Sequence, residues 1–331
     1  MLQLGSDPCC NTAKCYDLRM GDLLTALAAA QPDKTAIVDD RTGVTGTDDV
    51  RRCTYAEFED RANQLAHVLD GLGVGPSDKV VWCGQNSTGI LELTSASRKI
   101  GSTAVPLNYR LSDEEAAYVI DHCDAMTVYI DAEFADLVTR IRTEIPKVVN
   151  ALVFDGDAPD GMTAVDPLVE SASTATFERP DIDAGGATMT YTSGTTGKPK
   201  GVMLTHRAIL KNAEAVGQVV SPLREDRFLS ILPLAHAFER ALGYVLPLMA
   251  GSSISYARSI QRLRQDLATV RPSVIMGVPR FYETIEASAR RAAADSPLKK
   301  ALFEKTARIG WKRFSAKYHG GAGLSLSESL A

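Results

Sequence analysis

The chain has 331 residues, with 36 Lys+Arg against 41 Asp+Glu, a formal net charge of −5. Hydrophobic residues make up 45% and charged residues 23%, which excludes a disordered chain, a collagen and a disulfide miniprotein. The mild acidity offers no general field for nucleic acid or an anionic membrane. Cys9, Cys10 and Cys15 lack CxxC spacing and a neighbouring His, which favours free thiols over a metal cluster. Met1–Cys10 has no basic stretch followed by an apolar run, so no signal peptide is expected, and Ala241–Ala250 is too short to span a bilayer. A reduced, cytoplasmic protein is the expectation, with no transmembrane segment; peripheral membrane contact stays open.

The predicted elements begin with a Gly-, Thr-, Asp- and Arg-rich stretch over 39–52, which reads as a loop or loose hairpin. Over 55–70, Phe58, Ala62, Leu65, Ala66 and Leu69 fall on one helical face. Gly71, Gly73, Gly75 and Pro76 break the chain. Strands and helices then alternate: strand 80–83, a helix capped by Asn86, strand 103–107, and a helix opened by a Ser112/Glu115 capping box. Strand 126–130, helix 133–142 and strand 150–154 follow. Residues 155–186 form a connector rich in Asp, Ala, Ser, Pro and Gly. Alternation resumes with strand 187–192, helix 206–218, strand 227–232, helix 236–249 and strand 252–257. Helix 260–270, strand 273–277 and helices 280–294 and 297–316 complete it. The rhythm predicts an α/β fold of mostly parallel sheets flanked by helices.

The domain division expected is a ragged N-terminus (1–20), a first α/β sheet subdomain (21–155), a connector (156–186), a second α/β subdomain with a phosphate loop (187–317) and a flexible tail (318–331).

The most informative loop is Thr192-Ser-Gly-Thr-Thr-Gly-Lys-Pro-Lys-Gly201. Glycines let backbone N–H groups approach a phosphate, hydroxyls add donors and lysines add charge. It is not a Walker A loop: Thr192 stands where the first Gly belongs, and Pro199 follows Lys198 where Ser or Thr is needed. Pro199 also stops a helix from running through this point, so the loop is expected to join two strands. By composition alone, a polyphosphate cradle and a plain hairpin tip both remain open.

The run from Tyr191 to His206 resembles the AMP-binding signature of the adenylate-forming superfamily. Thr54-Tyr-Ala-Glu-Phe and Asn63-Gln-Leu-Ala resemble its early helix, and Val105-Pro-Leu-Asn-Tyr-Arg110 its N-terminal sheet segment. Leu232-Pro-Leu-Ala-His-Ala-Phe-Glu-Arg240 resembles its second core motif, and Val278-Pro-Arg-Phe-Tyr-Glu283 a form found in long-chain fatty-acid–CoA ligases. The order of motifs matches over nearly residues 20–315.

The resemblance implies ATP-dependent activation of a fatty acid to an acyl-adenylate, then displacement of AMP by coenzyme A. It implies that Thr192, Ser193, Gly194, Thr195, Thr196 and Gly197 hold the ATP phosphates. Lys198 and Lys200 would add positive charge there, and His236 and Lys200 would serve the chemistry. Lys198 and Lys200 could equally be solvated, and His236 could simply cap or pack a helix start. Phe238 could gate an acyl tunnel or belong to the core, Glu239 and Arg240 could pair, His206 reads as structural, and Arg280 as a helix-start charge. Mg2+ is expected with ATP, with no protein metal site.

The family's Tyr-Gly-x-Thr-Glu and Thr-Gly-Asp elements and its C-terminal domain with a catalytic Lys do not occur in these residues. The expectation is therefore a truncated large N-terminal domain with little activity alone. It could be completed by a separate C-terminal chain; the alternatives are a catalytically dead remnant or an interaction half that needs a partner.

Overall fold

The computed structural model describes residues 20–40, 50–177, 187–192, 198–257, 259 and 262–318. Two compact units divide at Met276/Gly277.

The first unit opens with helix α1 (Met20–Ala30) and strand β1 (Thr35–Asp40), which pairs antiparallel with β2 (Val50–Thr54). That pairing agrees with a loose hairpin over this stretch. Helix α2 (Tyr55–Gly71) starts with a complete capping box between Thr54 and Glu57 and buries the five predicted apolar positions. Strand β3 (Lys79–Cys83) leads to α3 (Thr88–Ile100), every residue of which is buried.

Asn86 does not cap α3. The N-cap position is Ser87, which makes no side-chain cap, and the Thr88 N–H donates instead to Asp39 Oδ2 at 2.8 Å. Asn86 reaches across to the other sheet: its Nδ2 donates to Leu232 O (2.8 Å) and its Oδ1 accepts from Leu234 N (2.8 Å). A carboxylate on β1 satisfies the helix's orphan donor, which releases Asn86 to hold a distant turn.

Strand β4 (Thr103–Leu107), α4 (Asp113–His122) with its Ser112/Glu115 capping box, and β5 (Thr127–Asp131) follow as expected. The predicted helix 133–142 is broken into a 3-10 turn at Ala132–Phe134, α5 (Ala135–Arg140) and a second 3-10 turn at Arg142–Glu144. After β6 (Asn150–Phe154), the connector holds a two-residue strand, β7 (Thr163–Ala164), and a short helix, α6 (Asp166–Ser171).

Strands β8 (Thr188–Thr192) and β9 (Lys200–Leu204) lead to α7 (His206–Val220), capped by Thr205, whose side chain accepts from Ala208 N. Strand β10 (Arg227–Ser230) precedes one helical rod made of α8 (Ala237–Glu239), a π-helical stretch Arg240–Val245 and α9 (Leu246–Ala250). Strand β11 (Ser253–Tyr256), α10 (Leu263–Val270) and β12 (Val274–Ile275) complete the first unit.

Two sheets result, ordered β12-β10-β11-β1-β2 and β7-β6-β5-β3-β4-β8-β9. All pairings are parallel except β1/β2 and β8/β9. Both sheets draw strands from either side of the 156–186 connector. The larger core cluster joins α1, α2 and α3 to the 242–256 region, and a second lies around α4, α5 and β5.

The second unit contains α11 (Pro279–Ala294) and α12 (Pro297–Tyr318), which pack on each other. Arg280 and Glu283 lie 3.9 Å apart and are both exposed, a pair of little energetic weight. No helix among the described residues is long and apolar enough to cross a membrane.

Candidate active site

The Gly/Ser/Thr/Lys loop lies at the tip of the β8–β9 hairpin, with Thr192 opposite Lys200 and Tyr191 opposite Gly201. The expected strand-to-strand setting holds. Ser193, Gly194, Thr195, Thr196 and Gly197 lie outside the described residues. Of the predicted cradle, Thr192, Lys198 and Lys200 are described, and all three are exposed at the hairpin end. Gly201 leaves room for the Met189 side chain, since a Cβ there would sit 2.8 Å from Met189 Sδ.

Helix α4 grips both limbs of this hairpin. The Tyr118 hydroxyl donates to Pro199 O at 3.1 Å, and Lys198 Nζ lies 4.9 Å from the centre of the Tyr118 ring. On the other limb, the Tyr191 hydroxyl and His122 Nδ1 share a 2.7 Å hydrogen bond. Burial raises the Tyr191 phenol above its ordinary value, so it stays protonated. The sequence gives no local sign of this grip, because Tyr118 and His122 are far from the loop in the chain.

The second motif is tied down at several points. Arg240 Nη1 donates to Leu234 O and Ala235 O, each at 2.9 Å, and its Nη2 bonds the Thr190 hydroxyl on β8. Glu239 is fully buried and accepts from Ser230 Oγ at 2.6 Å. Glu239 and Arg240 therefore do not pair with each other: successive helical residues point to different faces, and each has its own partners. Burial pushes the Glu239 carboxyl up to about 7, with the Ser230 hydrogen bond opposing it, and draws the Arg240 guanidinium down to about 10. Gly243 is needed inside the π-helical stretch, since a Cβ would lie 2.1 Å from Glu239 Oε1.

His236 stands just before α8, exposed and without a side-chain capping bond. His206 is buried at the start of α7. Phe238 is 46% exposed, which removes the core reading and leaves it at the edge of a cavity.

That cavity has a volume of about 470 Å³, within the range of small-molecule sites. Its exposed rim carries Ala208, Asn212, Ala237 and Phe238, while Arg98, Thr188, Ile209, Arg240 and Leu242 are its buried lining residues. Sequence reasoning missed Arg98 and Thr188. The available sign was a pair of cations, Arg98 and Lys99, at the end of an otherwise buried helix.

The family description "AMP-binding enzyme" matches residues 24–327. The chain belongs to the AMP-binding enzyme family. The long-chain-fatty-acid–CoA ligase of Thermus thermophilus is 33% identical over 241 residues, which cover 72% of this chain and 43% of that protein. Among solved structures, the inhibitor-bound N-terminal domain of FACL13 from Mycobacterium tuberculosis matches with a TM-score of 0.71 at 25% identity, covering 84% of this chain and 67% of that one. ATP-bound MatB from Rhodopseudomonas palustris matches with a TM-score of 0.67 at 26% identity, covering 81% and 51%. The chain spans less than half the length of the curated relatives it matches. The fold expected from the sequence, the large N-terminal domain of adenylate-forming enzymes, is thus the fold found.

Proposed function

We propose that these residues carry the phosphate loop and acyl pocket of an ATP-dependent fatty-acid–CoA ligase. One observation carries the reading: a single strand, β8, serves both parts. Its buried start, Thr188, lines the cavity, and its exposed end, Thr192, opens the loop.

In the first half-reaction a carboxylate oxygen bonds to the α-phosphorus of ATP and the bond to pyrophosphate breaks. In the second, the coenzyme A sulfur bonds to the acyl carbon, AMP leaves, and the thiol proton is released. Negative charge collects on the departing pyrophosphate, where prearranged donors and cations lower the barrier most. Thr192, Ser193, Gly194, Thr195, Thr196 and Gly197, with Lys198 and Lys200, are proposed to serve there. His236 is proposed to stand beside the carboxylate at the rim of the acyl pocket, next to Ala237 and Phe238.

Among the described residues no group of three or more His, Cys, Asp or Glu side chains could hold a metal ion. Mg2+ is proposed to arrive with ATP, whose phosphates carry it. The adenine, ribose and C-terminal lysine elements of the family are not in this sequence. Each such group is worth orders of magnitude in rate, so these 331 residues alone are proposed to have little turnover and to need those groups from elsewhere.

The test is thermal unfolding with and without Mg-ATP and a long-chain fatty acid. A cooperative transition that rises with each ligand supports the reading. A cooperative transition indifferent to both would overturn it.

A further inference from the structure

No side-chain capping bond holds His236. Its backbone N–H donates to Pro233 O at 2.9 Å, and its carbonyl accepts from Arg240 N at 3.2 Å. The place of its imidazole therefore follows the turn Leu232–His236, which belongs to neither helix nor strand. A segment without regular structure needs partners for its backbone groups from elsewhere, and here side chains supply them. The Asn86 amide takes the two groups that flank Pro233, donating to Leu232 O and accepting from Leu234 N, each at 2.8 Å. Arg240 takes the carbonyls of Leu234 and Ala235.

Both anchors lead to the sheet that carries the phosphate loop. The turn follows β10 of the five-stranded sheet, whereas the loop joins β8 and β9 of the seven-stranded sheet. Asn86 follows β3 of that second sheet, and Arg240 reaches Thr190 on β8. Asn86 is available for this because Asp39 already meets the donor at the start of α3. The Asn86 Nδ2 also lies 3.3 Å from Ser230 Oγ, which donates to the buried Glu239. The amide's orientation is thus set by three partners. A bond between a carboxylate and a phosphate depends steeply on how the two are placed, and a shift of about 1 Å is costly.

Resting on the reading that His236 stands beside the reacting carboxylate, we propose that Asn86 is a positioning residue for the acid substrate. It fixes His236 relative to the phosphate loop by holding the turn from the loop's own sheet. It acts through the turn, not on the substrate. The role suits a primary amide, which offers a donor and an acceptor in one plane. An ionised aspartate offers acceptors only and would turn an oxygen toward Leu232 O.

The experiment is calorimetric titration with dodecanoic acid and, separately, with magnesium pyrophosphate. The chains compared are the unaltered one, Asn86→Ala, Asn86→Asp and the control Gln85→Ala. Asn86→Asp keeps the size of the side chain and the bond from Leu234 N, so it guards against a failure of Asn86→Ala to fold. Gln85 lies in the same loop, but its amide bonds Glu133 at 2.9 Å instead of the turn. Both Asn86 variants should bind dodecanoic acid about tenfold more weakly, the net worth of about one hydrogen bond, and pyrophosphate within about twofold of the unaltered chain. Gln85→Ala should change neither. Acid binding that holds in the folded Asn86 variants overturns the proposal, because Asn86 then serves stability alone. Equal losses for both ligands, or the same loss in Gln85→Ala, also overturn it, since they report a general loosening. An unaltered chain that binds no dodecanoic acid removes the acyl-pocket reading itself, and the proposal with it, before any variant is compared.

Discussion

Glu239 offers a sharp test of the second motif's electrostatics. Its carboxyl is fully buried and pushed up to about 7, against 4.5 for an ordinary glutamate. The folded chain thus holds the proton more tightly than the unfolded chain. The stability this provides is complete below about 4.5 and is lost as pH rises through about 7. The interval is worth roughly 3 kcal/mol. Glu239→Gln keeps an oxygen to accept from Ser230, fills nearly the same volume, and cannot ionise. Urea unfolding of both chains at pH 4.5 and pH 8 measures the effect as a difference of differences. The variant should gain roughly 3 kcal/mol on the unaltered chain between those two pH values. Profiles that run parallel across the range would refute the reasoning, because they would mean that Glu239 reaches water or a cation when it ionises.

Three further outcomes are expected. Lys200→Ala should weaken pyrophosphate binding about tenfold, the loss of one charge-assisted contact; unchanged affinity in a titration would mean the loop does not hold phosphate. Gly243→Ala should lower stability by about 1–3 kcal/mol in urea melts, because its Cβ would meet Glu239 Oε1, which Ser230 fixes in place; an unchanged midpoint would show that the π-helical stretch can relax. Cys53, Cys83 and Cys123 are buried, with thiols raised to about 12, about 12 and about 11. Peptide mass mapping after treatment of the folded chain with a thiol reagent at pH 8 should find all three unmodified, and rapid labelling of any of them would contradict the burial.

What the sequence made legible is what local physics decides. The capping boxes at Thr54/Glu57 and Ser112/Glu115 each close within one turn, so the residues that form them also announce them. Strand β8, the break at Pro199 and the start of α7 at Thr205 follow from backbone rules that act over a few residues. The loop between β8 and β9 was readable for the same reason: its glycines, hydroxyls and lysines are consecutive. Asn86 misled for the complementary reason. Its position before α3 suits a cap, but Asp39, remote in sequence, takes the helix donor, and Asn86 joins the turn at Leu232–Leu234 instead. The 133–142 segment had helical spacing, yet Asp131 caps a 3-10 turn there, its Oδ1 accepting from Glu133 N at 3.1 Å, and regular helix starts only at Ala135.

The same division separates catalytic ancestry from substrate choice. Phosphate recognition relies on backbone groups and short side chains in one contiguous loop, so it leaves a continuous signature. The cavity proposed for the acyl group is assembled from β8, α3, α7 and the helical rod after His236, so no short stretch of sequence contains it. Arg98 looks in sequence like the basic end of a helix, where a cation is favoured by the helix dipole. Only the packing of α3 against the 240–245 stretch buries it, with the Tyr244 ring 5.6 Å from its guanidinium carbon. Lys99, its neighbour, could have looked identical, and Glu59 on α2 makes it an ordinary ion pair. Which of two adjacent helix-end cations meets an acidic partner is decided by a neighbouring element, so it became visible only once the chain was folded.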